Sequence, residues 1–177
     1  MLSFYRIGNS KDIHFEDLFN LYRNAFPFAE RRSRDGLIQI LETEDRFCAY
    51  ALIQNHNFAG LFHFWTFETF YYIEHLAVVP HLRNQKIGTQ AMKFFMEQIQ
   101  LPVVLEVELP TSQKKRKRIE FYQHQGFEPL AQFYEQPPYE NQKKFTPLKL
   151  MSSNPEFTDT HFEFIRDTLY RKVYQSY

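Results

Sequence analysis

Two kinds of residue in this chain are placed where they could do chemistry. The first is a short polar run, Arg83-Asn84-Gln85-Lys86-Ile87-Gly88. It follows a largely apolar stretch of strand length (71–79) and Pro80, and it precedes residues with helical spacing. From Ile87 onward the apolar residues Ala91, Phe94, Phe95 and Ile99 recur three or four apart. A strand, a tight loop and a helix start present free backbone N–H groups and a positive dipole end, which is a setting for a pyrophosphate. The second kind is a carboxylate inside an apolar strand. Glu74 lies in Tyr-Tyr-Ile-Glu-His-Leu-Ala-Val, where a charge must be paired, hydrated or functional. Strict alternation predicts that Tyr72, Glu74, Leu76 and Val78 share one sheet face and that His75 points to the other as a core histidine.

The phosphate signal narrows by elimination. A Walker-type loop needs Gly-Lys-Ser/Thr after several spacers, and a dinucleotide fingerprint needs three glycines plus a later acid. Neither order is present, so nucleoside triphosphates and dinucleotides are excluded as the ligand.

Around these residues the pattern predicts one α/β domain over all 177 residues, with a mixed sheet of about six or seven strands flanked by helices. Strands are expected at 3–7, 46–54, 58–67, 70–79, 102–109, 130–134 and 145–150. Asn55-His56-Asn57 turns the first central hairpin. Helices are expected at 12–26, 37–42, 87–100, from Thr111 or Ser112 to about 125 with Gly126 as the stop, and at about 159–174. An insert (135–144) separates the last two strands.

Composition limits the classes. Lys plus Arg and Asp plus Glu are both 21, so the overall charge gives no push toward nucleic acid. The one cysteine, Cys48, excludes an internal disulfide framework and is expected buried and inert within its strand. No segment has signal-peptide character and no apolar run reaches spanning length, so the expectation is a cytoplasmic protein that engages no membrane. The basic run 114–118 invites an RNA-binding reading. It lacks interleaved aromatics, and a solvated helix start explains it as well.

The motifs resemble those of the acyl-CoA-dependent N-acetyltransferases of the GNAT superfamily. That family's loop reads Arg/Gln-x-x-Gly-x-Gly/Ala after a strand ending Ala-Val-x-Pro. Here Ala77-Val78-Val79-Pro80 is the strand end, Arg83 matches the first loop position and Gly88 the last, and Lys86 replaces the middle glycine. A second match is Phe121-Tyr122-Gln123-His124-Gln125-Gly126-Phe127, which looks like the family's Phe-Tyr-x-x-x-Gly-Phe. The resemblance covers 46–151 well and suggests a less studied bacterial branch.

The resemblance implies a GNAT-like fold and transfer of acetyl from acetyl-CoA to a primary amine of a small molecule or peptide, by direct attack and without a metal. It implies that the backbone of Leu76, Ala77 and Val78 contacts the cofactor and that the amides from Arg83 through Asn84, Gln85, Lys86, Ile87 and Gly88 to Thr89 hold the diphosphate. Tyr122 falls where the family places the acid for the departing sulfur. A phenol with pKa near 10 suits a thiolate of similar basicity. Glu74 and Glu106 each match a base position used in some members, and Glu108 is a third candidate. Lys115 and Arg118 stand where many members carry Asn and Ala. Lys115 could meet the 3′-phosphate instead. These departures also leave open an acyl-CoA-binding module without catalysis. The oligomeric state is expected to be monomer or homodimer, and Arg31, Arg32 and Arg34 are expected at the acceptor mouth, either binding an acidic acceptor or simply exposed.

Overall fold

The computed structural model describes residues 1–139 and 144–176; part of the expected insert, 140–143, lies outside the described residues. The α/β class is the one expected, an open sheet flanked by helices. The chain forms two compact units, Met1–Gln100 and Leu101–Tyr177.

The first unit is a four-stranded antiparallel sheet of β1 (Leu2–Ile7), β2 (Phe47–Gln54), β3 (Asn57–Thr66) and β4 (Tyr71–Val78). Asn55 and His56 turn the β2–β3 hairpin with φ of 49° and 66°. Positive φ at both central residues gives a tight turn whose twist matches the strands. Helices α1 (Phe15–Ala25) and α2 (Arg34–Thr43) cover one sheet face. α2 starts three residues earlier than the apolar spacing suggests, because Ser33 caps it: its hydroxyl accepts from the Gly36 N–H at 3.1 Å. Helix α3 (Ile87–Glu97) packs against β1 and β4. Phe62 of β3 meets Phe95 of α3 with ring centroids 5.1 Å apart.

The second unit is built on β8 (Thr146–Ser152), which pairs antiparallel with β5 (Val103–Glu108), β6 (Glu128–Pro129) and β7 (Tyr134–Gln136). In place of the expected strand at 130–134 there are two short pieces, β6 just before it and β7 starting at its last residue. Helix α4 (Gln113–Gln123) is capped by Ser112, whose hydroxyl accepts from the Lys115 N–H at 3.3 Å. It is followed by Gly126 at φ +86°, the left-handed stop its position predicts. The single closing helix expected near 159–174 is divided into α5 (Pro155–Thr160), α6 (Phe162–Thr168) and a π-helical turn, Leu169–Val173. Asn154 caps α5 and Pro155 opens it. Among the described residues no helix is long and apolar enough to cross a membrane.

Candidate functional site

Strand β4 carries the first candidate residues, and its regularity breaks at the one that matters. His63 pairs with His75 and Phe64 with Ile73, so the register steps past Glu74 in a β-bulge. A bulge re-aims side chains and bends its strand. The expected alternation fails here: Glu74 and His75 both project toward the α1–α2 side. Glu74 meets Trp65 and Arg32, and the His75 ring lies 4.9 Å from Tyr22 and 4.3 Å from Phe26.

Glu74 is held tightly. Its side chain is 0% exposed, Arg32 Nη1 donates to one carboxylate oxygen, and Trp65 Nε1 donates to the other at 2.9 Å. The residue as a whole is nonetheless only half-buried, so the exposed part is main chain. Arg32 is itself buried and its guanidinium sits 5.7 Å from Phe47 and 5.8 Å from Trp65. Its backbone N–H donates to the Tyr22 hydroxyl at 2.9 Å. Arg32 is therefore committed to Glu74 and is not a free cation for an acidic acceptor. Arg34 pairs with Glu16 on the surface. Burial pushes the Tyr22 phenol up and holds His75 down to about 4 and His63 down to about 3. His75 Nε2 meets the Glu30 carbonyl at 3.0 Å, whereas neither ring nitrogen of His63 reaches a partner among the described residues.

The end of β4 is pressed against β3 at Gly60. A Cβ added there would lie 2.4 Å from the Ala77 carbonyl oxygen, so only glycine permits this approach. Ala77 is buried, and Leu76 and Val78 are half-buried. The chain then passes through a short turn at Pro80–Leu82 into the polar run. Asn84 and Lys86 both take left-handed backbone conformations, at φ of 64° and 61°. Lys86 thus adopts the conformation a glycine would supply, which is how a lysine fits where the motif carries glycine. It is the N-cap of α3 and makes no side-chain cap bond. The first turn's N–H groups, those of Ile87, Gly88 and Thr89, have no intrahelical acceptors and no capping oxygen, so they form a donor cluster suited to an anion. Arg83 Nε donates to the Val78 carbonyl at 3.3 Å and Gln85 Nε2 to the His81 carbonyl at 3.4 Å, which braces the loop. Leu76 through Thr89 are thus one continuous strand–loop–helix segment.

In the second unit, Tyr122 is buried near the end of α4, with Phe127 edge-on at 6.1 Å. Burial raises its phenol to about 12 despite the opposing effect of Arg118. Glu106 accepts from two phenols, Tyr134 and, at 2.6 Å, Tyr174. Glu108 is paired with Arg118 and, at 3.9 Å, with Lys115. Two of the five cations in the run 114–118 therefore share one carboxylate on β5. The sequence reading missed Trp65 and Tyr22 around Glu74, and Tyr174 on Glu106. The available signal was the buried carboxylate itself, since a charge in an apolar strand requires partners.

The sequence profile of the Acetyltransferase (GNAT) family matches residues 14–127. A solved GNAT-family acetyltransferase from Bacteroides thetaiotaomicron is similar over 97% of this chain and 98% of that one, at 32% identity and TM-score 0.90. A GNAT-family acetyltransferase from Elizabethkingia anophelis with acetyl-CoA bound has 19% identity and TM-score 0.57, covering 85% of this chain and 96% of that one. The ribosomal-protein-S18-alanine N-acetyltransferase from Escherichia coli has 16% identity and TM-score 0.59, covering 86% and 92%. The latter two show shared fold alone. Among curated proteins none matches.

Proposed function

The chain belongs to the GNAT family of acetyltransferases, and from that premise we propose that it moves an acetyl group from acetyl-CoA to a primary amine of a small molecule or peptide. The observation that carries the reading is the uncapped start of α3, opened by left-handed Asn84 and Lys86 directly after β4. Its donors fit a diphosphate, and the amides from Arg83 to Thr89 would hold it. The main chain of β4 from Glu74 to Val78, partly exposed at Glu74, carries hydrogen-bonding groups suited to an extended amide-containing arm. Lys115, although near Glu108, keeps about a third of its side chain exposed (37%) and remains the candidate for the 3′-phosphate.

In the transfer, the amine nitrogen attacks the thioester carbonyl carbon, the C–N bond forms, and the C–S bond breaks. Tyr122 gives its proton to the departing sulfur; burial raises its phenol to about 12, which keeps the proton in place at neutral pH but makes it a weaker acid than a free phenol, so the transfer is driven by the developing thiolate. A carboxylate takes the proton from the amine. Glu106 suits that task better than Glu74. It is held by phenols, which exchange protons, whereas Glu74 is locked to a buried guanidinium.

Proteins that share the fold include a ribosomal-protein-S18-alanine N-acetyltransferase and an aminoglycoside 6′-N-acetyltransferase, so peptide and small-molecule amines are both screened as acceptors. Calorimetry with CoA and acetyl-CoA, followed by a mass-spectrometric screen of amines, tests the reading. Absence of CoA binding at millimolar concentration overturns it. Tyr122→Phe is expected to lower kcat by about 100-fold with CoA affinity kept within about twofold. Unchanged turnover would return Tyr122 to a packing role. A second reading, a CoA-binding module without catalysis, is favoured by one observation: both candidate carboxylates already accept two donors each. Tight CoA binding with no product across the amine panel would establish it.

A further inference from the structure

The sheet face beneath α3 holds a feature that the acetyl-transfer reading does not use. Between the β1–β4 sheet and the last turns of α3 lies a cavity of about 320 Å³. Six rings line it: Phe4, Tyr50, Phe64, Tyr71, Phe94 and Phe95. They already brace one another. Phe4 stacks on Phe94 at 4.8 Å, Tyr50 lies parallel to Phe64 at 5.8 Å, and Phe95 meets Phe64 at 4.8 Å and Tyr71 edge-on at 5.8 Å. The walls are therefore formed before any ligand arrives, which lowers the ordering cost of binding. Phe94 is 49% exposed, and Phe4, Tyr50, Phe64 and Tyr71 are half-buried, so the pocket opens to solvent with much ring surface wet.

The lining states the chemistry of the occupant. None of its lining residues is a Lys, Arg, His, Asp or Glu, and the nearest charge, Arg6 opposite Tyr50, acts on the Cys48 thiol from outside the lining, so the walls themselves favour a neutral molecule. The polar groups that the lining residues carry are the Cys48 thiol, kept protonated by burial, the Thr66 hydroxyl, the Tyr50 and Tyr71 phenols and the Gln98 amide. Among the described residues the Thr66 hydroxyl donates one long bond, 3.5 Å to the Arg46 carbonyl, which leaves it able to serve another partner. The volume sits at the low end of small-molecule pockets, roughly 300–1,000 Å³, which suits a bicyclic ring system and not a nucleotide-sized ligand. The site is also separate from the phosphate-binding segment. α3 runs from Ile87 to Glu97, so its last turn is about 10 Å along the axis from its first.

We propose that this pocket binds a neutral, planar aromatic small molecule of about two fused rings, carrying one hydroxyl or carbonyl group that reaches Thr66 or Gln98. The probe is 2-naphthol, titrated into the full chain by calorimetry and by saturation-transfer NMR. The expected result is one saturable site whose affinity is unaffected by saturating CoA. Phe94→Lys, on the half-exposed surface of α3, is expected to weaken binding at least about tenfold with the melting temperature kept within a few degrees. Should that variant fold poorly, Phe94→Ala carries the same expectation. Because Cys48 is the chain's one cysteine, its alkylation by N-ethylmaleimide gives an independent readout, expected to slow several-fold when 2-naphthol is bound. Four results would overturn the proposal: non-saturable partitioning, displacement by CoA, unchanged affinity in folded Phe94→Lys, or a dimer that Phe94→Lys splits, which would make the face an interface between copies.

Discussion

Lys86 carries a conformational cost that its sequence neighbours conceal. At φ 61° a side chain crowds its own backbone, at a cost of about 1–2 kcal/mol for a non-glycine residue. Glycine there would escape the crowding but lose about 0.5–1 kcal/mol more backbone entropy on folding. Lys86→Gly should therefore stabilise the chain by about 0.5–1 kcal/mol, a rise in melting temperature of about 2 °C for a protein of this size. The same change removes a cation beside the proposed diphosphate site, and CoA affinity should fall about two- to fivefold. Thermal unfolding and calorimetry on one variant check both signs, and affinity that rises with stability would show that the ammonium plays no part in binding. The spacing of Arg83, Lys86 and Gly88 made the loop legible, and the missing middle glycine made its backbone conformation the point in question. Glu106 was legible only as a candidate. Its phenol partners lie 28 and 68 residues away, and no local pattern records such a contact.

At the scale of elements, periodicity located the strands and helices of the first unit and its hairpin well, because alternation and helical spacing are written into each segment, but it merged the divided closing helices and misplaced the 130–134 strand. It failed at the β4 bulge, because a bulge belongs to a pair of strands and not to either alone. One extra residue at Glu74 turned the predicted opposite faces of Glu74 and His75 into one shared face. The consequence is a buried ion pair that fastens the segment between α1 and α2 to the middle of β4. Such pairs stabilise little by themselves, yet removing one partner strands the other. Glu74→Gln should cost about 3–5 kcal/mol, since the Arg32 guanidinium stays buried without that carboxylate. The apolar double variant, Arg32→Met with Glu74→Leu, should recover most of the loss. Urea unfolding of the three proteins measures this. If folded double variant also retains turnover within about tenfold, Glu74 positions β4 and is not the base. A double variant as unstable as Glu74→Gln would show that the pair contributes more than its mutual contact.

For the molecule as a whole, acid sensitivity is set by specific buried groups and not by net charge. Positive and negative side chains balance at 21 each, so near neutrality there is little global self-repulsion to relieve or create. His63 and His75 are held down to about 3 and about 4, in both cases chiefly because burial disfavours the imidazolium. For His63 the neighbouring His75 and Arg32 act in the same direction, and Glu74 opposes them. For His75, Glu74 and the Glu30 carbonyl oppose, and Arg32 adds to the depression. The unfolded chain takes up these protons near pH 6.5 and the folded chain does not, so the unfolded state binds more protons between about 6.5 and 4. Stability is therefore complete above pH 6.5 and declines as pH falls toward the folded values. Each histidine contributes a slope of up to about 1.4 kcal/mol per pH unit. Between pH 7 and pH 5 the expected loss is about 2–4 kcal/mol, read from urea midpoints at fixed ionic strength. That window lies above the range in which ordinary carboxylates take up protons, so it isolates the imidazoles. His63→Phe substitutes a ring of similar size among Tyr22, Phe47 and His75 and removes one of the two proton sites. Its midpoint should change about half as steeply across the same window. A slope identical to the parent's would mean that His63 does not contribute, and that the acid response arises elsewhere in the fold.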